Sequence, residues 1–113
     1  MFQSLKSGLW VRALIRQMAS SNIFATILHK GDEDAGAILI VLRDRDSNCV
    51  ILRENQNKWD RSDTQSFTDT DDYLKRQTKY DPDLWILELD VDNISSAIEK
   101  TFSPRQLGED VFD

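Results

Sequence analysis

The chain has 113 residues, enough for one domain with one modest core and too few for two. It is 40% hydrophobic and 30% charged with four Gly and two Pro, so collagen-like and wholly disordered chains are excluded. A net charge of −6, from 14 Lys/Arg against 20 Asp/Glu, excludes a uniformly basic polyanion binder. A single Cys excludes an internal disulfide and any Cys-based zinc site.

The charge is uneven. Residues 1–61 hold nine basic and seven acidic side chains, whereas residues 62–113 hold five and thirteen. The N-terminus has no long apolar run, because Arg12 and Arg16 interrupt it. Neither a signal peptide nor a spanning helix fits such a start. With the unpaired Cys49, this predicts a cytoplasmic protein with no membrane partner.

Residues 8–20 read as a helix, with Leu14, Ile15 and Met18, and Val11 or Trp10, at helical spacing and Ser7 as N-cap. Ser20-Ser21-Asn22 ends it. Residues 23–30 read as a strand with Ile23, Ala25, Ile27 and His29 on one face and Phe24, Thr26, Leu28 and Lys30 on the other. The loop 31–36 follows. The run 37–43 is apolar throughout, as an interior strand covered on both faces is. After a turn at 44–48, residues 49–54 return as a strand, so two successive hairpins are expected. Lys58–Arg61 fits a short edge strand with Trp59 inward. Residues 69–79 read as a second helix, capped by Thr68 or Asp69. Asp81-Pro82-Asp83 breaks the chain, and 84–91 is a strand with Trp85, Leu87, Leu89 and Val91 on one face.

The fold class that follows is α+β: an N-terminal helix on a bent antiparallel sheet of four or five strands, with a second helix before the last strand. If the last strand pairs with the first, a small Sm-like barrel closes. Residues 1–92 make the domain. Residues 93–113 make a C-terminal extension, a short helix followed by a flexible tail.

Three segments carry a family resemblance: Leu5-Lys6-Ser7-Gly8-Leu9-Trp10-Val11 leading into Ala13-Leu14-Ile15-Arg16; His29-Lys30-Gly31-Asp32-Glu33-Asp34-Ala35-Gly36-Ala37; and Tyr80-Asp81-Pro82-Asp83-Leu84-Trp85. Together they resemble the alphaproteobacterial family filed as domain of unknown function 1491, over about Leu5 to Asp92. The resemblance implies a small cytoplasmic bacterial protein. It brings no activity, cofactor or catalytic residue.

Four chemical readings compete. Asp32, Glu33 and Asp34 in the 31–36 loop, with His29 nearby, are candidate ligands for Mg²⁺ or Ca²⁺ in a metal-assisted hydrolase. Their spacing is not that of a calcium loop, and a solvated turn explains them as well. Cys49 and His29 are the sole Cys–His dyad available. Arg43, Arg45, Arg53, Lys58 and Arg61, with Trp59 among them, are candidate RNA-binding residues, since cations neutralise phosphates and an exposed aromatic stacks on bases. Trp10, Ile94, Ile98 and Phe102 are candidate interface residues, because aromatics are enriched at interfaces and the central hairpin needs cover on both faces. The reading chosen is a non-enzymatic binding or interaction module that self-associates as a homo-oligomer. It has no catalytic residue and no cofactor, and RNA binding is the alternative.

Overall fold

A computed structural model describes residues 6–56 and 58–104. In chain order it contains helix α1 (Ser7–Ser20), strands β1 (Ala25–His29), β2 (Ile38–Arg43), β3 (Asn48–Asn55), β4 (Lys58–Arg61) and β5 (Gln65–Ser66), helix α2 (Phe67–Tyr80), strand β6 (Trp85–Asp90) and a 3₁₀ turn at Ile98–Thr101. No helix among the described residues is long and apolar enough to cross a membrane.

The fold is α+β, with the N-terminal helix and the helix before the last strand both in place. The sheet, however, is mixed and open. Its order is β1-β6-β2-β3-β4, with β5 on β3. β6 runs parallel to β2, from Ile38 opposite Trp85 to Arg43 opposite Asp90, and antiparallel to β1. The expected antiparallel meander is therefore wrong at its first hairpin: β1 does not pair with β2, because β6 lies between them. The pairing of the last strand with the first does occur, with Ala25 opposite Leu89. It closes no barrel, since β1 and β4 are the two ends of the strand order. The reason is hydrophobic. β6 is apolar on both faces over Trp85–Leu87, and such a strand is best buried in the sheet interior beside β2. Burial agrees, since Ile38–Leu42 and Leu84–Leu87 are all at most 5% exposed.

The two faces have separate cores. α1 covers the first, where Val11, Leu14 and Met18 meet Ile38, Ile40, Leu42, Leu52, Trp85, Leu87 and Leu89. α2 covers the second, where Tyr73 and Leu74 meet Leu39, Val41, Ile51, Leu84 and Ile86. The central hairpin thus gets its two covers from its own helices.

Both helix starts differ from expectation. Lys6 occupies the α1 N-cap with no side-chain cap bond. At α2 it is Ser66, not Thr68 or Asp69, whose hydroxyl accepts from Asp69 N–H. The end of α1 is a Schellman turn. Asn22 adopts φ 60°, its N–H donates to Ala19, and Ile23 N–H donates to the Met18 carbonyl at 2.8 Å. That turn delivers the chain directly into β1.

Candidate functional site

The three segments that carry the family resemblance converge on one spot, the N-terminal end of α1. Gly8 N–H donates to the Glu33 carbonyl at 2.9 Å and Ser7 N–H to the Asp34 carbonyl at 3.3 Å. The 31–36 loop thus supplies the acceptors that the first turn of a helix lacks. Ser7 Oγ donates to the Gly36 carbonyl at 2.6 Å in a buried bond. Asp32 N–H donates to the Asp83 carbonyl at 2.9 Å, and Trp85 Nε1 donates to the Asp32 carbonyl at 2.7 Å. A Cβ at Gly31 or Gly36 would overlap the Asp83 carbonyl. The motifs are therefore parts of one junction that fixes α1 to the sheet.

The candidate metal ligands take part in this junction. Asp32 Oδ2 accepts from Asp34 and Ala35 N–H, closing a turn. Glu33 pairs with Arg12 at 2.8 Å and Lys30 at 3.7 Å, and Asp34 pairs with Lys6 at 3.5 Å. The Arg12 hydrogen bond holds the Glu33 carboxyl below its usual range. Among the described residues, no group of three His, Cys, Asp or Glu side chains is placed to hold a metal ion.

The Cys49–His29 dyad is overturned by topology. His29 lies on β1 and Cys49 on β3, with β6 and β2 between them, and the register sets Cys49 four residues along β3 from the level of His29, so the two are well over about 14 Å apart. His29 Nδ1 instead donates to the Leu84 carbonyl at 2.6 Å. Cys49 is buried, and burial pushes its thiol up.

The basic hairpin does not present one face. Arg43 and Arg53 lie on the α2 side, where Arg43 sits 4.5 Å over the Phe67 ring and Arg53 5.2 Å over the Tyr73 ring. Arg45 pairs with Asp92 at 3.3 Å. Arg61 lies on the α1 side and grips Glu99 with two N–H groups, each at 2.9 Å, while donating to the Ile94 and Ser96 carbonyls. Lys58 is exposed on β4. Trp59, expected as a stacking surface in the RNA reading, is buried, with its ring 5.8 Å from Trp10 and 5.6 Å from Phe102. Its Nε1 donates to the Phe102 carbonyl.

The candidate interface residues also point inward. Trp10, Ile94 and Phe102 belong to the first core, and Ile98 packs against it. The stretch 93–104, expected as an extension, lies against the domain. Of residues 103–113, expected as its flexible tail, 105–113 lie outside the described residues.

Two surfaces remain that sequence reasoning missed. One is a cleft of about 460 Å³ at the ends of β2 and β6, lined by Arg43, Arg45, Glu88, Asp90 and Asp92. Burial pushes the Glu88 carboxyl up, against the pull of Arg43 at 3.9 Å. Both of its arginines are paired within it, Arg43 with Glu88 and Arg45 with Asp92. The other is the outer edge of β1, where Phe24, Ile27 and Leu28 are exposed. The alternation of 23–30 was visible in the sequence, but the edge position was not, because it depends on where β6 inserts.

The fold and the junction define a small α+β domain in which the three quoted segments meet at the start of α1. The family described as Protein of unknown function (DUF1491) matches residues 5–99, and the chain belongs to it. The crystal structure of a DUF1491 family protein from Caulobacter crescentus CB15 is similar, with 33% identity and a TM-score of 0.72, covering 79% of this chain and 88% of that one. An NMR structure of a DUF1491 family protein from the same organism has 31% identity and a TM-score of 0.69, covering 79% and 87%. The solution structure of a protein from A. tumefaciens has 27% identity and a TM-score of 0.67, covering 80% and 89%. No match was found among curated proteins.

Proposed function

We propose that this chain is a small, cytoplasmic, non-enzymatic interaction module that associates with itself. The observation that carries this reading is the contrast between the two edges of the sheet. Edge strands present unpaired backbone groups, and proteins guard them with charges, prolines or a covering segment. β4 is guarded: its sequence Lys58-Trp59-Asp60-Arg61 is charged, and Arg61 is tied to the 94–99 stretch. β1 carries no Asp, Glu, Lys, Arg or Pro, and two of its five residues, Ile27 and Leu28, are exposed apolar side chains. Such an edge is suited to taking another strand. Light scattering across a dilution series tests the reading. The expected mass is twice the 13.1 kDa of one chain. A single-chain mass at every concentration would overturn it.

A further inference from the structure

The backbone of β1 sets which groups face outward. Asp90 N–H donates to the Phe24 carbonyl at 3.0 Å, and Thr26 lies opposite Glu88. Hydrogen-bonding direction alternates along an antiparallel strand. Phe24 and Thr26 therefore turn their backbone groups toward β6, and Ala25 and Ile27 turn theirs to the open side. Side chains alternate too, with Ala25 and Ile27 on the α1 face and Phe24, Thr26 and Leu28 on the other. Phe24 is 67% exposed, Ile27 41% and Leu28 47%. The pairing with β6 shifts register between Ile27 and His29, so Leu28 ends the regular edge.

We infer that β1 is a dimer interface, in which two copies pair antiparallel about a two-fold axis through Thr26 and join their sheets into one. This rests on the self-association reading and names its surface, partner and register. On that axis Ala25 and Ile27 exchange backbone hydrogen bonds with Ile27 and Ala25 of the partner subunit. Thr26 faces Thr26 of the partner subunit, a favourable cross-strand pair. Phe24 faces Leu28 of the partner subunit, so each exposed apolar side chain of one edge meets an apolar neighbour. Moving the axis to Ile27 would set Phe24 against the partner's Lys30. Moving it to Ala25 would set Leu28 against the partner's Asn22. A helix or a lipid surface would cover the side chains and leave the Ala25 and Ile27 amides and carbonyls without partners, which is costly once water is excluded. An uncharged strand satisfies both, and a second copy offers one of equal length.

Cross-linking tests the axis. In the Thr26→Cys variant the two thiols lie directly opposite in a non-hydrogen-bonded pair, with Cβ atoms about 4.5–5.5 Å apart, close to disulfide range. Mild oxidation is expected to convert most of the chain to a covalent dimer. The exposed Leu9→Cys and Tyr80→Cys controls should cross-link at least tenfold more slowly. Native Cys49 is 1% exposed and does not compete. Phe24→Lys and Ile27→Lys are expected to weaken dimerisation at least tenfold with an unchanged far-ultraviolet circular dichroism spectrum. If the unaltered chain is monomeric, self-association and interface fall together. If it is dimeric but Thr26→Cys cross-links no faster than the controls, the β1 interface falls and self-association stands. Should a lysine variant fail to fold, the cysteine comparison alone decides.

Discussion

Gly31 and Gly36 press against the same backbone atom, the Asp83 carbonyl, which cannot move without pulling Leu84 and Trp85 out of the core. Gly8 is crowded only by the end of the Glu33 side chain, which can shift at the expense of its exposed pair with Arg12. The three glycines therefore differ in what they tolerate. Gly36→Ala is expected to cost about 3 kcal/mol, as overpacking against fixed atoms does. Gly8→Ala is expected to stay within about 1 kcal/mol of the parent, because a gain in helix propensity offsets a weakened surface ion pair. Urea titration of both variants checks this, and equal losses would contradict the junction geometry. Ser7 shows how far the sequence reaches at this scale. Its type and position suggest a helix cap, but its hydroxyl reaches Gly36, and contact between residues so far apart in the chain leaves no local signal. The three glycine-bearing and aspartate-bearing motifs were legible one by one. Their convergence was not.

At the scale of elements, the 94–102 stretch works as a strap across the α1 face. Phe102 meets Trp10 and Trp59 edge-on at 6.3 and 5.6 Å, and Arg61 anchors Glu99. Phe102→Ala is expected to destabilise the fold by about 3 kcal/mol and to expose Trp59, read as a red shift in tryptophan fluorescence. The Arg61 hydrogen bond lowers the Glu99 carboxyl. A lowered acid stabilises the fold fully above its unfolded value, about pH 4.3, and that contribution fades as pH falls through the folded value. Glu99→Gln should thus cost about 1 kcal/mol at neutral pH, with the difference from the parent closing in acid melts. Helix and strand positions were readable from periodicity, including Trp59 inward on β4. The strand order was not, because β1 and β2 adjoin in sequence and a hairpin is the default. Two clues ran the other way. The 30–37 connection is longer than a tight hairpin turn, and β6 opens on an apolar run, Trp85-Ile86-Leu87, buried on both faces like β2.

For the whole molecule, charge and edges act together. Most basic side chains of the first half are paired or stacked on aromatics, as Arg12, Arg43, Arg45, Arg53 and Arg61 show. The stretch 23–29 contains no Asp, Glu, Lys or Arg, so β1 puts no charged side chains of its own into the proposed contact. A dimer joined through β1 couples folding to association, and its melting temperature rises with protein concentration. Melts over a hundredfold range of concentration check this, and a constant midpoint would speak against the coupling.

The insertion of β6 between β1 and β2 also bears on how the protein is made. A ribosome delivers β1 to β4 before it delivers the strand that fills the middle of the sheet. Until residues 85–90 emerge, the nascent chain has the sides of β1 and β2 that β6 will occupy both open, and its two apolar cores each lack a wall. Stable folding therefore waits for nearly the whole chain. Products that stop short of Trp85 should be captured by chaperones and proteases rather than accumulate as smaller domains.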